Sequence, residues 1–261
     1  MSWKQIKALS KNKNVTLGIL PASYAHIVLW SEKERATVIN RAVSRYREEL
    51  GDDPECFAYT FGEYSKDFKK QVESYGFRAA FGQQSGVLYA GLDPAALPRF
   101  TMTDTFGDME RFRLTAGALP LPATDMMPDN PLLAAAETEA APKLGFTVDP
   151  GLADLGRLSC FASGIGKLKV IRLGKNRIEI RFDTPLTDRK TRINCTLPED
   201  TADITQQRWR WFGTQFILPE AALTEDEGDE PSESTNETND TGTENTGALD
   251  KAPTRNDIIQ P

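Results

Sequence analysis

One histidine in 261 residues sets the limits of the chemistry open to this chain. A lone imidazole, His26, can serve as one base or one metal ligand, but not as half of a histidine pair. Carboxylates are the remaining candidates. Glu63, with Asp104 and Asp108, could gather at a strand end for acid–base or metal work, with Tyr64 beside them. Solvated loop acids are the plainer reading of the same residues. Trp209 and Trp211 form a W-x-W pair on one strand face, suited to stacking on sugar rings or to packing a core. Gly164-Ile165-Gly166 lacks the βαβ setting of a phosphate loop and reads as a turn, so no cofactor site is expected. With a single histidine, a Ser-His-Asp arrangement has no support elsewhere in the chain. Cys56, Cys160 and Cys195 show no CxxC spacing. Buried free thiols are expected, and a Cys160–Cys195 bridge requires an oxidising compartment.

These residues need elements to hold them. Residues 14–20 (NVTLGIL) read as a strand ended by Pro21. Ser31 and Glu34 form a capping box, and Ala36, Ile39, Ala42 or Val43, Tyr46 and Leu50 recur at helical spacing up to Gly51, predicting a helix over 32–50. A strand over 56–61, a helix from Ser65 to Gly76 and a strand over 77–82 follow. The order β-α-β-α-β predicts parallel strands with helical crossovers. A further helix is expected near Met109. The stretch Leu119–Lys143 is rich in proline and alanine, and 123–143 reads as a linker. Beyond it, KLKVIRL (167–173) and NRIEIRFD (176–183) alternate about Gly174–Lys175 as a hairpin. TRINCTL (191–197) and RWRWFGTQFIL (208–218) alternate likewise, predicting an antiparallel, sandwich-like β domain over 144–219 of five to seven strands. Residues 220–261 carry 12 acidic side chains against Lys251 and Arg255. Such a segment is expected to be disordered. It carries a charge of −10, so the net charge of −7 leaves the remaining chain at +3. The net charge of −7 argues against nonspecific nucleic-acid binding. No apolar run reaches the length of about 18 residues that spans a bilayer. The N-terminus lacks the apolar core and cleavage site of a secretory signal, which leaves two expectations open: a cytoplasmic chain as written, or a recorded start that lies inside a longer gene.

Residues Phe57–Gly82 (FAYTFGEYSKDFKKQVESYGFRAAFG), with LPRF (97–100) and GDMERFR (107–113), resemble the third motif region and following βα unit of polysaccharide deacetylases, carbohydrate esterase family 4. LSCFASG, RINCTL and WRWFGTQF are similar to the C-terminal β extension of some bacterial members. The resemblance implies a partial, truncated β/α barrel over 1–122, followed by the β domain. It also implies an N-acetylated glycan or polysaccharide partner and metal-dependent hydrolysis of an amide C–N bond. In that family an aspartate and two histidines hold a divalent metal such as zinc, and the metal activates water. Members usually act outside the cytoplasm. Against that pattern, no aspartate precedes Asp52, and Leu20 and Tyr24 stand at the places of the two histidine ligands. His26 matches a further, non-ligand histidine. The PYGEY of one subfamily appears as Thr60-Phe61-Gly62-Glu63-Tyr64. The residues therefore predict no metal site and a catalytically defective chain. The alternatives are a noncatalytic carbohydrate-binding or assembly module, and a truncated gene product.

Overall fold

The computed structural model describes residues 1–152, 154–201 and 207–223. A short helix α1 (Trp3–Leu9) opens the chain, capped by Ser2, whose hydroxyl accepts from Gln5 N while the Gln5 side chain accepts from Ser2 N. Strand β1 (Gly18–Ile19) leads through a 3₁₀ turn (Ile27–Leu29) into α2 (Glu32–Leu50). Ser31 and Glu34 make the expected capping box, and Gly51 closes the helix in the left-handed conformation (φ 77°). The Ser31 hydrogen bonds hold the Glu34 carboxyl below its ordinary value. Strand β2 (Cys56–Ala58), a 3₁₀ turn (Thr60–Gly62), α3 (Lys66–Glu73) and β3 (Ala79–Phe81) complete the first unit.

β1, β2 and β3 lie parallel in that order. The β-α-β-α-β expectation holds, but with very short strands. Residues 14–17 stay outside the sheet because only Gly18 and Ile19 find partners, Cys56 and Phe57. The sheet is open, so the described residues form no closed barrel. One face of α2 (Val38, Ile39, Val43) and of α3 (Phe68, Val72) packs on Phe57, Tyr59 and Ala80. Buried Arg35 is matched within this layer: its Nε donates to Gln71 Oε1 at 2.8 Å, and its guanidinium lies 4.9 Å from the Phe68 ring.

Helix α4 (Met109–Ala116), capped by Asp108, precedes the second unit. Its strands are β4 (Leu119–Pro120), β5 (Ala123–Met127), β6 (Lys143–Val148), β7 (Ser159–Ala162), β8 (Gly166–Lys167), β9 (Lys169–Arg172), β10 (Arg177–Arg181), β11 (Lys190–Pro198) and β12 (Trp209–Ile217); a single helical turn, α5 (Ala135–Thr138), lies between β5 and β6. They make a four-stranded sheet, β5-β6-β10-β9, and a five-stranded sheet, β4-β12-β11-β7-β8. Along β6, β7 and β10 every second residue points inward. Leu144, Phe146, Val148, Ile178 and Ile180 from the first sheet share one core with Cys160, Ile193, Cys195, Leu197 and Phe216 from the second.

Three expectations are corrected here. The stretch 123–143 is not an extended linker: β5 pairs with β6, and buried Leu133 donates its N–H to Ile217 O at 2.9 Å. Backbone pairing in a shared sheet overrides the proline and alanine content. Cys160 and Cys195 are not free thiols but a disulfide, because register places them directly opposite on β7 and β11 with Cα atoms 4.1 Å apart. Such a bond belongs to oxidising surroundings. Finally, residues 220–223 of the segment read as a disordered tail are ordered. Glu220–Ala222 form a 3₁₀ turn, Arg189 pairs with Glu220 at 3.0 Å, and Leu223 packs against the β core. The rest of that expectation, from 224 on, lies outside the described residues.

Candidate functional site

His26 and Glu63, 37 residues apart, meet. The imidazole Nδ1 lies 3.1 Å from Glu63 Oε1 and 2.9 Å from Oε2. The two sides of the pair differ in solvent access: the Glu63 side chain is 2% exposed and that of His26 33%. A carboxylate that close to Nδ1 orients the ring and places a proton there. In the neutral imidazole the outer nitrogen, Nε2, is then the acceptor left for a ligand or for water.

Local structure explains both placements. The segment before His26 is tied to α2 by the bond from Ala22 N to Val38 O (3.0 Å). After it, Ile27 and Val28 are driven into the first core, 1% and 2% exposed, which leaves His26 at the surface edge. Glu63 follows the 3₁₀ turn at the end of β2, its N–H bonded to Thr60 O at 3.1 Å. That turn contains a rare backbone conformation: Phe61 has φ 53° and Gly62 φ 72°. The left-handed region is open to glycine but costs a bulky residue of the order of 1–2 kcal/mol. The result is to lay the Phe61 ring against His26, with centroids 4.5 Å apart and planes 22° from parallel. Tyr24 meets the same ring edge-on at 4.8 Å and is 76% exposed. Leu20, 44% exposed, also belongs to this segment.

The other candidates do not join the pair. Tyr64 is buried, its ring 5.3 Å from that of Tyr59, and burial pushes its phenol well above the ordinary tyrosine range. It is a core residue. Asp108 is spent on capping α4, accepting from the N–H groups of Glu110 (2.9 Å) and Arg111 (2.8 Å). Among the described residues no bond joins Asp104 or Asp108 to Glu63, and no three His, Cys, Asp or Glu side chains converge as a metal-ligand set. The chain's single histidine cannot supply both imidazoles of the Asp-His-His donor set of the resembled family. Trp211 is 2% exposed, edge-on to Phe100 at 5.2 Å, and donates Nε1–H to Asn194 Oδ1 at 3.2 Å. Both its ring and its polar handle are used inside the protein, which removes it as a sugar platform. Trp209 is half-buried.

Residues absent from the sequence reading complete the site. Lys190 on β11 donates Nζ–H to Phe61 O at 2.7 Å, and Gln215 on β12 donates Nε2–H to Gly62 O at 2.8 Å. Only the consecutive Phe-Gly in the turn hinted at an unusual backbone here.

No family model matches the chain, and no curated protein matches it. Among solved structures it is similar to a Streptococcus pyogenes deacetylase, PplD, determined in complex with acetate. The identity is 14% and the TM-score 0.40, over 44% of this chain and 50% of that one. The chain thus spans about half the length of that deacetylase. No helix among the described residues is long and apolar enough to cross a membrane.

Proposed function

We propose that this chain binds an N-acetylated glycan at the surface formed by Tyr24, His26 and Phe61, and that it does so without hydrolysing the acetamide. The observation that carries the reading is the one-third-exposed His26 held at Nδ1 by a buried Glu63, next to a tyrosine that is 76% exposed. Tyr24 offers an aromatic face to the apolar side of a pyranose ring. His26, oriented by Glu63, offers Nε2 to a sugar hydroxyl or to the acetamide N–H. The sequence resemblance to polysaccharide deacetylases supports the choice of an N-acetylated sugar. Binding without turnover follows from the side chains at the expected ligand places: Leu20 and Tyr24 supply an alkyl group and a phenol where metal chemistry needs imidazoles.

The test is a titration of the full chain with N-acetylglucosamine oligomers, followed by calorimetry, alongside an assay for released acetate. Tyr24→Ala is expected to weaken binding about tenfold, equivalent to about 1.4 kcal/mol, within the range of one aromatic contact. His26→Ala should weaken it similarly. No acetate should appear. Affinity unchanged by either substitution would refute the site. Acetate release abolished by His26→Ala would replace the binding reading with a hydrolytic one.

A further inference from the structure

The turn that carries Phe61 and Glu63 belongs to the first unit, yet it is gripped from the second. Phe61 and Gly62 are consecutive left-handed residues, a sequence of conformations that a free loop with a phenylalanine would abandon. Close packing forbids a side chain at the second position, where a Cβ on Gly62 would lie 2.5 Å from Gln83 N. The two peptide carbonyls of this turn are both captured by donors from distant sequence. Lys190 Nζ takes Phe61 O across 129 residues, and Gln215 Nε2 takes Gly62 O across 153. With its amide oriented to satisfy both ends, Gln83 adds a donor to Phe61 O at 3.0 Å and accepts from Arg99 at 3.3 Å.

Gln215 is 0% exposed, and its Oε1 has no protein partner among the described residues. Burying an amide half-satisfied is unfavourable, and an apolar side chain of that size would fill the space without the penalty. What the amide adds is the bond to Gly62 O.

We infer that Lys190 and Gln215 are positioning residues for the His26–Glu63 pair. By holding the carbonyls of Phe61 and Gly62 they keep the turn left-handed. That conformation sets the Phe61 ring on one face of His26 and brings the Glu63 carboxylate to Nδ1. On this view the β unit is a structural part of the site. The inference concerns the site proposed above, but it is read out with no ligand present.

Because His26 is the only histidine, its imidazole signals report this site alone. Nitrogen and proton NMR of the full chain, at a pH where the ring is neutral, should show an Nδ1-protonated tautomer and ring protons displaced by the Phe61 ring current. Lys190→Met should lose that displacement and move the nitrogens toward the values of a free imidazole. Lys190→Arg, which keeps a donor at the end of a long side chain, should restore both. Gln215→Met should act like Lys190→Met. Should it fail to fold, Lys190→Met carries the test from a half-buried position, and unchanged methyl signals of Leu144 and Ile178 verify that the β core is intact. A merely structural role would lower the melting temperature and leave the His26 signals where they were. Unchanged His26 signals in Lys190→Met would overturn the inference, and so would failure of Lys190→Arg to restore them. Signals that move as expected in a chain that binds no glycan would uphold the positioning and sink the glycan reading.

Discussion

Removing His26 should cost more than its own contacts are worth, because it strands Glu63. The carboxylate is 2% exposed, and both of its oxygens lie within 3.1 Å of Nδ1. Deleting one partner of a fully buried pair typically costs about 3–5 kcal/mol, most of it the penalty of an uncompensated charge. Here the imidazole is one-third exposed, so water can enter the space that His26→Ala opens. The expected loss is therefore smaller, about 2–3 kcal/mol. Glu63→Gln alone keeps an acceptor for Nδ1–H and exchanges a charge-assisted bond for a neutral one, at a cost of about 1 kcal/mol.

The decisive variant is the double one. With His26 already absent, Glu63→Gln removes the stranded charge and should recover about 1 kcal/mol, a sign reversal that independent contributions cannot produce. Urea unfolding at neutral pH measures this directly. With a slope of about 2–3 kcal/mol per molar urea for a chain of this size, His26→Ala should lower the midpoint by about 1 M. The double variant should then unfold at higher urea than His26→Ala alone. If His26→Ala lies within about 0.5 kcal/mol of the parent, as surface substitutions do, Glu63 is not stranded and the pair is not the buried device described here.

The disulfide closes a loop of sequence separation 35, which corresponds to about 4 kcal/mol of unfolded-chain entropy, so reduction should lower the unfolding free energy by about that amount and bring the midpoint down with it; a midpoint indifferent to reductant would show that Cys160 and Cys195 are not bonded. Native-state hydrogen exchange should find the amides of β2 and β3 opening more readily than those of β11 and β12, since three-residue strands in a three-stranded sheet sit against nine-residue strands in a five-stranded one; the reverse order would contradict the packing. A chain ending at residue 122 should not unfold cooperatively, because Ile217 of β12 is 0% exposed within the first unit's core, where one such side chain contributes about 1.5–3 kcal/mol; a sharp transition with native His26 signals would refute this dependence.

Much of the scaffold was legible because its signals are local. The capping box at Ser31 and Glu34, the 3.6-residue recurrence to Leu50 and the glycine stop gave α2, and alternation about Gly174–Lys175 gave the pairing of β9 with β10. What was missed is held by contacts that sequence spacing does not encode. Helix α1 is only seven residues and too short to persist alone. It forms where Arg45 lies over the Trp3 ring at 5.4 Å and Lys7 pairs with Glu49 at 2.8 Å, both residues of α2. Its one local signature, Ser2 with Gln5 three positions on, was present and went unread. β5 was hidden by proline and alanine, and its register with β6 shifts between Thr124 and Met127, where Asp125 turns left-handed. The thiols were misjudged for a related reason: alternation turns both cysteines inward, but only the order β11-β7 sets them face to face.

The same limit governed the site. His26 and Glu63 were each named, but nothing in their spacing says that an imidazole at the end of one loop meets a carboxylate after a turn 37 residues later. Reading the chain as two modules separated by a linker also hid the second half of the site. β12 is one strand with two allegiances. Phe216 packs in the β core, while Ile217 packs in the first core and Gln215 donates to Gly62. In an extended strand, neighbouring side chains point to opposite faces, so a single element can serve two layers at once. That is why the boundary drawn from composition fell where the backbone pairing does not break, and why the residues that hold the turn lie more than 120 positions away from it.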